Sequence, residues 1–404
     1  MSNTILYLIT LFIISLFGTW WIFKKILRIA VLKDITDNPN VRKLQKRPIP
    51  VLGGVAVFFG MTVSLLATGL MYDTSRLFTV LGAMTIMLYV GTMDDILSLS
   101  PALRFMIEIL VVLVLAFSNN MLLDNFHGLW GIEAIPFWLA LPLTVITGVG
   151  IINSINLIDG VNGLSSGYCI MASSVFCLAF IHFGDIDSAS LAILSIGALL
   201  PFFCHNVFGL KSKMFMGDGG TLLMGIIMTT FVISAIDGNS PMSINASENF
   251  STVAFALAVL SIPVFDTLRV MILRLARGTS PFLPDKTHLH HLLFNLGFSH
   301  IGTTMTEIMS NAIIIGIWYL CYRAGASVNM QLYIVVILAI LATFGFYWWA
   351  KVQMERRTKA YIWLQKLGEL THVGHKRWYE HFRNRLDTGC DYPIEEQRSS
   401  ESQL

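Results

Sequence analysis

Four stretches of the chain hold side chains that can do chemistry, and they are separated by long apolar runs. "GTMDDILSLSP" (91–101) places Asp94 and Asp95 side by side. "NSINLIDGVNG" (153–163) offers Asn153, Asn156, Asp159 and Asn162. "MFMGDGGTLLMG" (214–225) offers Phe215 and Asp218, and "SPFLPDKTHLHHLLFNLG" (280–297) offers His288, His290 and His291. Carboxylates and amide carbonyls are hard oxygen donors of the kind that hold magnesium, usually one or two of them together with substrate phosphates. Imidazoles, with the basic pair Lys46 and Arg47, suit phosphate oxygens. Acids for a cation and bases for phosphates together point to phosphoryl transfer, which depends on positioning and charge neutralisation. No Walker A or GxGxxG stretch is present, so a standard nucleotide-binding fold is not indicated.

Each stretch has an ordinary explanation when taken alone. Adjacent acids at a helix end can be solvated, and Asn-Gly and Asp-Gly pairs are turn chemistry. Asp218 can be the N-cap of the apolar run that follows it, and a histidine cluster can be a solvated loop. Their joint occurrence on one side of a membrane is much harder to explain that way. Ionisable groups near a bilayer are costly and usually functional.

The elements that must position these residues follow from composition. Of 404 residues, 55% are hydrophobic and 13% charged, with a mean hydropathy of +0.68. A soluble domain has roughly 25% charged residues, so the chain is read as an integral membrane protein. A net charge of +2 does not suggest a nucleic-acid binder. The five cysteines are scattered without CxxC spacing and imply neither a disulfide framework nor a zinc site.

Runs at 4–23, 51–71, 77–93, 102–118, 136–153, 165–183, 188–205, 220–236, 250–271, 303–322 and 329–350 predict an all-α polytopic bundle of about eleven transmembrane helices. Basic residues collect in 24–47, 206–216, 272–302 and the tail, and are nearly missing from the alternate connections. The positive-inside rule then places the N-terminus outside, and the four polar stretches and the C-terminus in the cytoplasm. The first run lacks a preceding basic region and a small-residue cleavage site, so it reads as a retained helix. Two regions are expected: a transmembrane domain over 1–350 with cytoplasmic active-site loops, and a charged cytoplasmic tail over 351–404. The tail reads equally as a solvated segment or as a basic amphipathic helix lying on the membrane. Glu108 and Glu307 are expected to make bundle contacts or to snorkel, and Asp266 with Arg269 to form an i,i+3 pair. The sequons at Asn245 and Asn249 are glycosylation sites in form only.

The set "GTMDD", "NSINLIDGVNGL", "FMGDGGTLLMG" and "SPFLPDKTHLHHLL" resembles the polyprenyl-phosphate N-acetylhexosamine-1-phosphate transferase family over roughly residues 40–300. The resemblance implies transfer of a sugar-1-phosphate from a UDP-N-acetylhexosamine to a polyprenyl phosphate, with release of UMP. It implies Mg2+, with Mn2+ as a substitute, and a multi-pass protein of the bacterial inner membrane; a homodimer is left open. It makes Asp94 and Asp95 the acidic pair at the lipid phosphate, as base, positioning group or nucleophile. Asp159, His290 and His291 join them as catalytic candidates. Asp218, Asn156 and Asp159 become metal ligands, Phe215 a platform for uracil, and His288 a phosphate contact. Lys46, Arg47, Asn153, Asn162 and Asn206 become substrate contacts. Many bacterial members have an acid at the position of Asn162, so its role points to nucleotide contact rather than catalysis. "HLHHLL" lacks the longer histidine run and following acid of the peptidoglycan branch, so the GlcNAc branch is expected. The alternatives are phospho-MurNAc-pentapeptide transfer and, in another class, a transporter. A transporter would place its ionisable groups near the midplane and often show inverted repeats.

Overall fold

The computed structural model describes residues 2–37, 48–69, 72, 77–118, 121–281, 286–374 and 376–390. Lys46 and Arg47 lie outside the described residues, as does the end of the tail from 391. Among the described residues each apolar run lies mainly on one helix or, at 250–271, on a pair of helices. These are α1 (Ser2–Leu32), α2 (Gly53–Thr68), α3 (Leu77–Leu97), α4 (Pro101–Ser118), α5 (Phe137–Leu157), α6 (Leu164–Phe183), α7 (Ile186–Phe208) and α8 (Gly217–Ile236). After the short α9 (Pro241–Asn245) come α10 (Thr252–Val259) and α11 (Ser261–Ala276), then α12 (Leu289–Asn295) and α13 (His300–Arg323). The chain continues through α14 (Val328–Ile340), a π-helical turn (Leu341–Gly345), α15 (Phe346–Glu355), α16 (Lys359–Leu370) and α17 (Arg377–Asp387).

The expected count of eleven spans is not reproduced. Among the described residues nine helices are long and apolar enough to cross a membrane, and α10 with α11 makes a tenth only as a pair bent by 76°. The second run becomes α2, whose 16 residues fall short of the roughly 20 that a straight crossing needs. The bend between α10 and α11 frees backbone groups, and apolar surroundings require that they be paired. Asn311 of α13 does this: its carbonyl accepts from Ile262 N (3.0 Å) and Ser261 Oγ (2.8 Å), and its amide donates to Val259 O (3.0 Å). Tyr168 Oη also donates to Val259 O, at 2.5 Å.

The core is built around α8, whose residues from Gly219 to Ile236 are all buried. A helix apolar on every face belongs inside a bundle, and α8 is packed on by α2, α3, α5, α6 and α10. Gly91 of α3 lies so close to the first turn of α8 that a Cβ there would sit 2.4 Å from the Asp218 carbonyl. That contact brings Asp94 and Asp95, one turn later, beside Asp218. The outer surface remains apolar, with Phe17, Ile146, Leu178 and Leu320 each more than 60% exposed. A surface of that kind needs a lipid environment.

The fold is mostly but not entirely helical. Two antiparallel ribbons occur, β1 (Thr36–Asp37) with β2 (Ile49–Pro50), and β3 (Asn125–Leu129) with β4 (Ile132–Ala134). The first matters for the site. Beyond β2, Val51 bridges Phe215 in parallel register, with Phe215 N donating to Pro50 O at 2.8 Å and Gly53 N to Phe215 O at 2.9 Å. Strands of two to five residues are too short to leave a periodicity that the sequence could reveal.

Candidate active site

The C-terminal end of α3, the first turn of α8 and the last turn of α5 meet at one end of the bundle. Asp95 reaches across to α8, its carboxylate accepting from Asp218 N (3.1 Å) and Gly219 N (3.4 Å). The start of a helix exposes unpaired N–H groups and favours negative charge. Asp218 therefore does not cap its own helix, as its position in sequence allowed. Asp95 does so from another helix, and the Asp218 side chain is free to turn elsewhere. Asp218 Oδ1 accepts from Asn156 Nδ2 at 3.0 Å, and the same amide donates to Thr221 Oγ1 at 2.7 Å. One residue thus ties the second motif to the third.

Arg104, at the start of α4, is the cation of this cluster. Its guanidinium lies 3.1 Å from Asp94, 3.5 Å from Asp218 and 3.5 Å from Glu108. Asp94 also accepts from Leu99 N at 2.8 Å, which fixes the loop between α3 and α4. Asn153 donates to Glu108 Oε2 at 2.5 Å, so it faces α4. Glu108 makes the bundle contacts expected of it, but as part of this network. Arg104 was missed in the sequence because a lone arginine at a helix start looks like an ordinary boundary charge.

The turn after α5 holds the second half. Asp159 accepts a short hydrogen bond from Ser165 Oγ. Burial raises its pKa to about 6 against the Ser165 bond, and the charges of Asp218 and Asp37 add to the rise. Above Gly160 stands His290, whose Nε2 would lie 2.4 Å from a Cβ at that position. Only glycine admits the imidazole so close to the backbone. His290 is buried and stacks on His288, with ring centroids 5.5 Å apart and planes 7° apart. His291, 4.3 Å from it centroid to centroid, is the more accessible ring. Burial, followed by the charge of His291, holds the His290 pKa well below its ordinary value.

Asp266 explains how the histidines are held. It forms the expected pair with Arg269 at 2.6 Å, and its other oxygen is 2.9 Å from His288 Nδ1 and accepts from Leu289 N at 3.2 Å. Arg269, fully buried, also donates to Thr287 O at 2.6 Å and lies over the Tyr347 ring at 3.8 Å. The i,i+3 spacing revealed the pair but not its reach to the histidine segment.

A third group surrounds Phe215. Asn206 accepts from Gly163 N (2.6 Å) and donates to Met214 O (2.8 Å), joining the turn after α5 to the segment before Phe215. Asn162 contributes its backbone here, its N–H facing His300 Nδ1 at 3.4 Å and its carbonyl accepting from Thr304 Oγ1 at 2.9 Å. Lys213, two residues before Phe215 and near His300, has its pKa pulled down to about 8 by burial. In the sequence it reads only as one basic residue of a loop.

The arrangement thus gathers Asp94, Asp95, Asn156, Asp159, Asp218 and His288–His291 at one end of the bundle, with Phe215 and Lys213 beside them. Among the described residues, no three His, Cys, Asp or Glu side chains converge as a metal cage. The donor set nevertheless fits a hard cation, because Asp218, Asn156 and Asp159 are all oxygen donors and Arg104 does not neutralise Asp159.

The model of the glycosyl transferase family 4 matches residues 77–236. A probable undecaprenyl-phosphate N-acetylglucosaminyl 1-phosphate transferase of Bacillus subtilis is 30% identical over 341 residues, covering 84% of this chain and 91% of that protein. An undecaprenyl-phosphate alpha-N-acetylglucosaminyl 1-phosphate transferase of Yersinia pestis is 29% identical, with 67% of this chain and 73% of the relative covered. A protein of that name from Escherichia coli K12 is 27% identical, with 82% and 87% covered.

Proposed function

The chain belongs to the polyprenyl-phosphate N-acetylhexosamine-1-phosphate transferase family, and on that premise we propose that it transfers GlcNAc-1-phosphate from UDP-GlcNAc to undecaprenyl phosphate, releasing UMP. The observation that carries the reading is the junction at the end of α5: Asn156 binds Asp218 on one side of the turn, and Gly160 receives His290 on the other. Acids and imidazoles from distant segments thereby flank one position for a diphosphate. The names of the relatives support the undecaprenyl-phosphate acceptor and N-acetylglucosaminyl 1-phosphate as the transferred group.

In this mechanism a phosphate oxygen of the lipid attacks the sugar-linked phosphorus of the donor. The new phosphorus–oxygen bond forms as the bond to the bridging oxygen breaks, and UMP leaves with the electron pair. The lipid phosphate is an adequate nucleophile without strong base assistance, since a phosphomonoester has a second pKa near 6. Asp94 and Asp95 are already engaged by Arg104 and the α8 backbone, which favours a positioning role for the pair. Phe215 offers a partly exposed ring to the uracil, since an aromatic face accepts a base without further polar groups. His291 and Lys213 bring donors to phosphate oxygens, and Asp266 fixes the ring of His288 behind them. Asp218, Asn156 and Asp159 would hold Mg2+ together with diphosphate oxygens. Bound there, the cation neutralises charge on the diphosphate.

The proposal includes the bacterial inner membrane, an external N-terminus and a cytoplasmic site. Reporter fusions after Leu122 or Asp237 should read as external, and fusions after Lys211 or Gly278 as cytoplasmic; the reverse would part the site from cytosolic UDP-sugars. The direct test is UMP release by the purified protein with undecaprenyl phosphate and a panel of UDP-sugars. UDP-GlcNAc should be the preferred donor. Preference for UDP-MurNAc-pentapeptide would move the chain to the other branch, and no release from any donor would end the reading.

A further inference from the structure

The charged tail folds back onto the bundle and grips both segments that flank the site. At the end of α17, Asp387 accepts from Leu210 N (3.2 Å), Ser212 N (2.9 Å) and Ser212 Oγ (2.7 Å). An acid at a helix C-terminus has the wrong sign for the helix dipole, so its position is not explained by α17. It is explained by the loop, whose three donors would otherwise lack these bonds. Tyr379 Oη donates to Val207 O at 3.0 Å, and Trp378, Tyr379 and Phe382 surround Phe208 with ring centroids 5.2 to 6.4 Å away. Lys24 of α1 fastens the far end, donating to Thr388 O at 2.7 Å.

The α16 end grips the other segment. Thr371 Oγ1 accepts from Ser299 N at 2.9 Å, and Ser299 Oγ donates to Thr371 O at 2.8 Å. Ser299 caps α13, just after the histidine segment and just before His300. Gly368 is packed so closely that a Cβ would lie 2.8 Å from the Gly297 carbonyl carbon.

The geometry points to the tail as a positioning strap for the donor subsite, with Asp387 as its positioning residue for the loop that presents Lys213 and Phe215. Asp387 does not touch substrate. It holds residues 210–212 in the path that Asn206 and Val51 complete at Met214 and Phe215. Loosening this support misplaces the ring that receives the base, and leaves the lipid-phosphate side to Asp94, Asp95 and Arg104. This inference rests on the transferase reading for its substrate, but its contacts stand without it.

The test uses the full chain in nanodiscs, comparing Asp387→Ala with Asp387→Asn. Asparagine keeps one acceptor oxygen for Ser212, so it is the conservative rescue. Asp387→Ala should raise the KM for UDP-GlcNAc about tenfold, with kcat and the KM for undecaprenyl phosphate unchanged. Asp387→Asn should recover most of that loss. Hydrogen exchange at the amides of Leu210 and Ser212 should speed up in the alanine variant and less so in the asparagine variant. Unchanged donor KM and exchange in the alanine variant would overturn the strap, as would an equal loss in kcat and both KM values with no rescue by asparagine. If the wild-type protein releases no UMP, the transferase reading fails, and the exchange measurement still decides whether Asp387 holds the loop.

Discussion

The carboxylate of Asp95 sits 3.1 Å from the backbone nitrogen of Asp218, an acid closing the start of the helix that carries the other acid. The contact joins residues 123 positions apart and separates two roles that look alike in sequence. Asp95 satisfies the end of α8, and the Asp218 carboxylate is left for Asn156 and Arg104. Removing a side-chain acceptor at a helix start costs about 1 kcal/mol. Asp95→Ala should therefore lower the thermal midpoint of the purified protein, whereas Asp218→Asn should leave it nearly unchanged and lower UMP release at least about a hundredfold. Wild-type turnover in Asp218→Asn at saturating magnesium would remove Asp218 from the cation site.

Arg104 serves three carboxylates at once, those of Asp94, Asp218 and Glu108. In Arg104→Gln, Asp94 and Asp218 lose their shared counter-charge, so the negative potential at the site rises. Maximal turnover should fall about tenfold or more, since displaced carboxylates no longer keep the site in its reactive geometry. The magnesium concentration for half-maximal rate should fall, because a more negative site draws a cation more strongly. A magnesium titration of the variant checks both signs, and an increased requirement would contradict the assignment.

Gly160 and His290 make a steric prediction. Gly160→Ala places a methyl group where the imidazole stands, 2.4 Å from Nε2. Either the turn or the ring must move, and turnover should fall about a hundredfold with a smaller loss of stability. Kinetics and thermal unfolding of Gly160→Ala read the two effects separately.

Asp266 tests the buried support of the histidines. Arg269 is fully buried, so Asp266→Ala removes the carboxylate 2.6 Å from its guanidinium. Breaking such a pair destabilises by about 3–5 kcal/mol. The thermal midpoint should drop sharply, while Asp266→Asn should retain more stability but impair turnover through the orientation of His288.

Lys213 sets a pH dependence. Its folded pKa, about 8, lies below the usual lysine value near 10.4. Below pH 8 the ammonium is charged in both the folded and unfolded chain, and its burial costs stability. As pH rises from about 8 to about 10.4 the folded chain gives up the proton first, so this cost is relieved. Donor affinity should change in the opposite direction. The KM for UDP-GlcNAc should rise above pH 8 as the ammonium is lost. Arginine keeps its charge, so Lys213→Arg should move that alkaline limb upward; an identical limb in the variant would place the titration elsewhere.

The apolar helices, the polar stretches that interrupt them and the chemistry those stretches can perform are all legible in the amino-acid order. Length, hydropathy and charge are local properties, and a bilayer acts on each segment almost independently of its neighbours. That is why α1, α5 and α8 were legible, and why Asp94, Asp159, Asp218 and the histidines stood out against their surroundings. What each of these groups touches depends on how the helices pack together. The bend at Leu260 was hidden because Asn311, some fifty residues away, compensates the broken backbone. Arg104, Asp266 and Lys213 were not legible as site residues, because their importance lies in partners brought by other helices. The tail was ambiguous for the same reason. Its basic, aromatic composition suits water or a membrane surface equally well, and only its contacts with Phe208, Ser212 and Ser299 show that one face of it is packed against the protein.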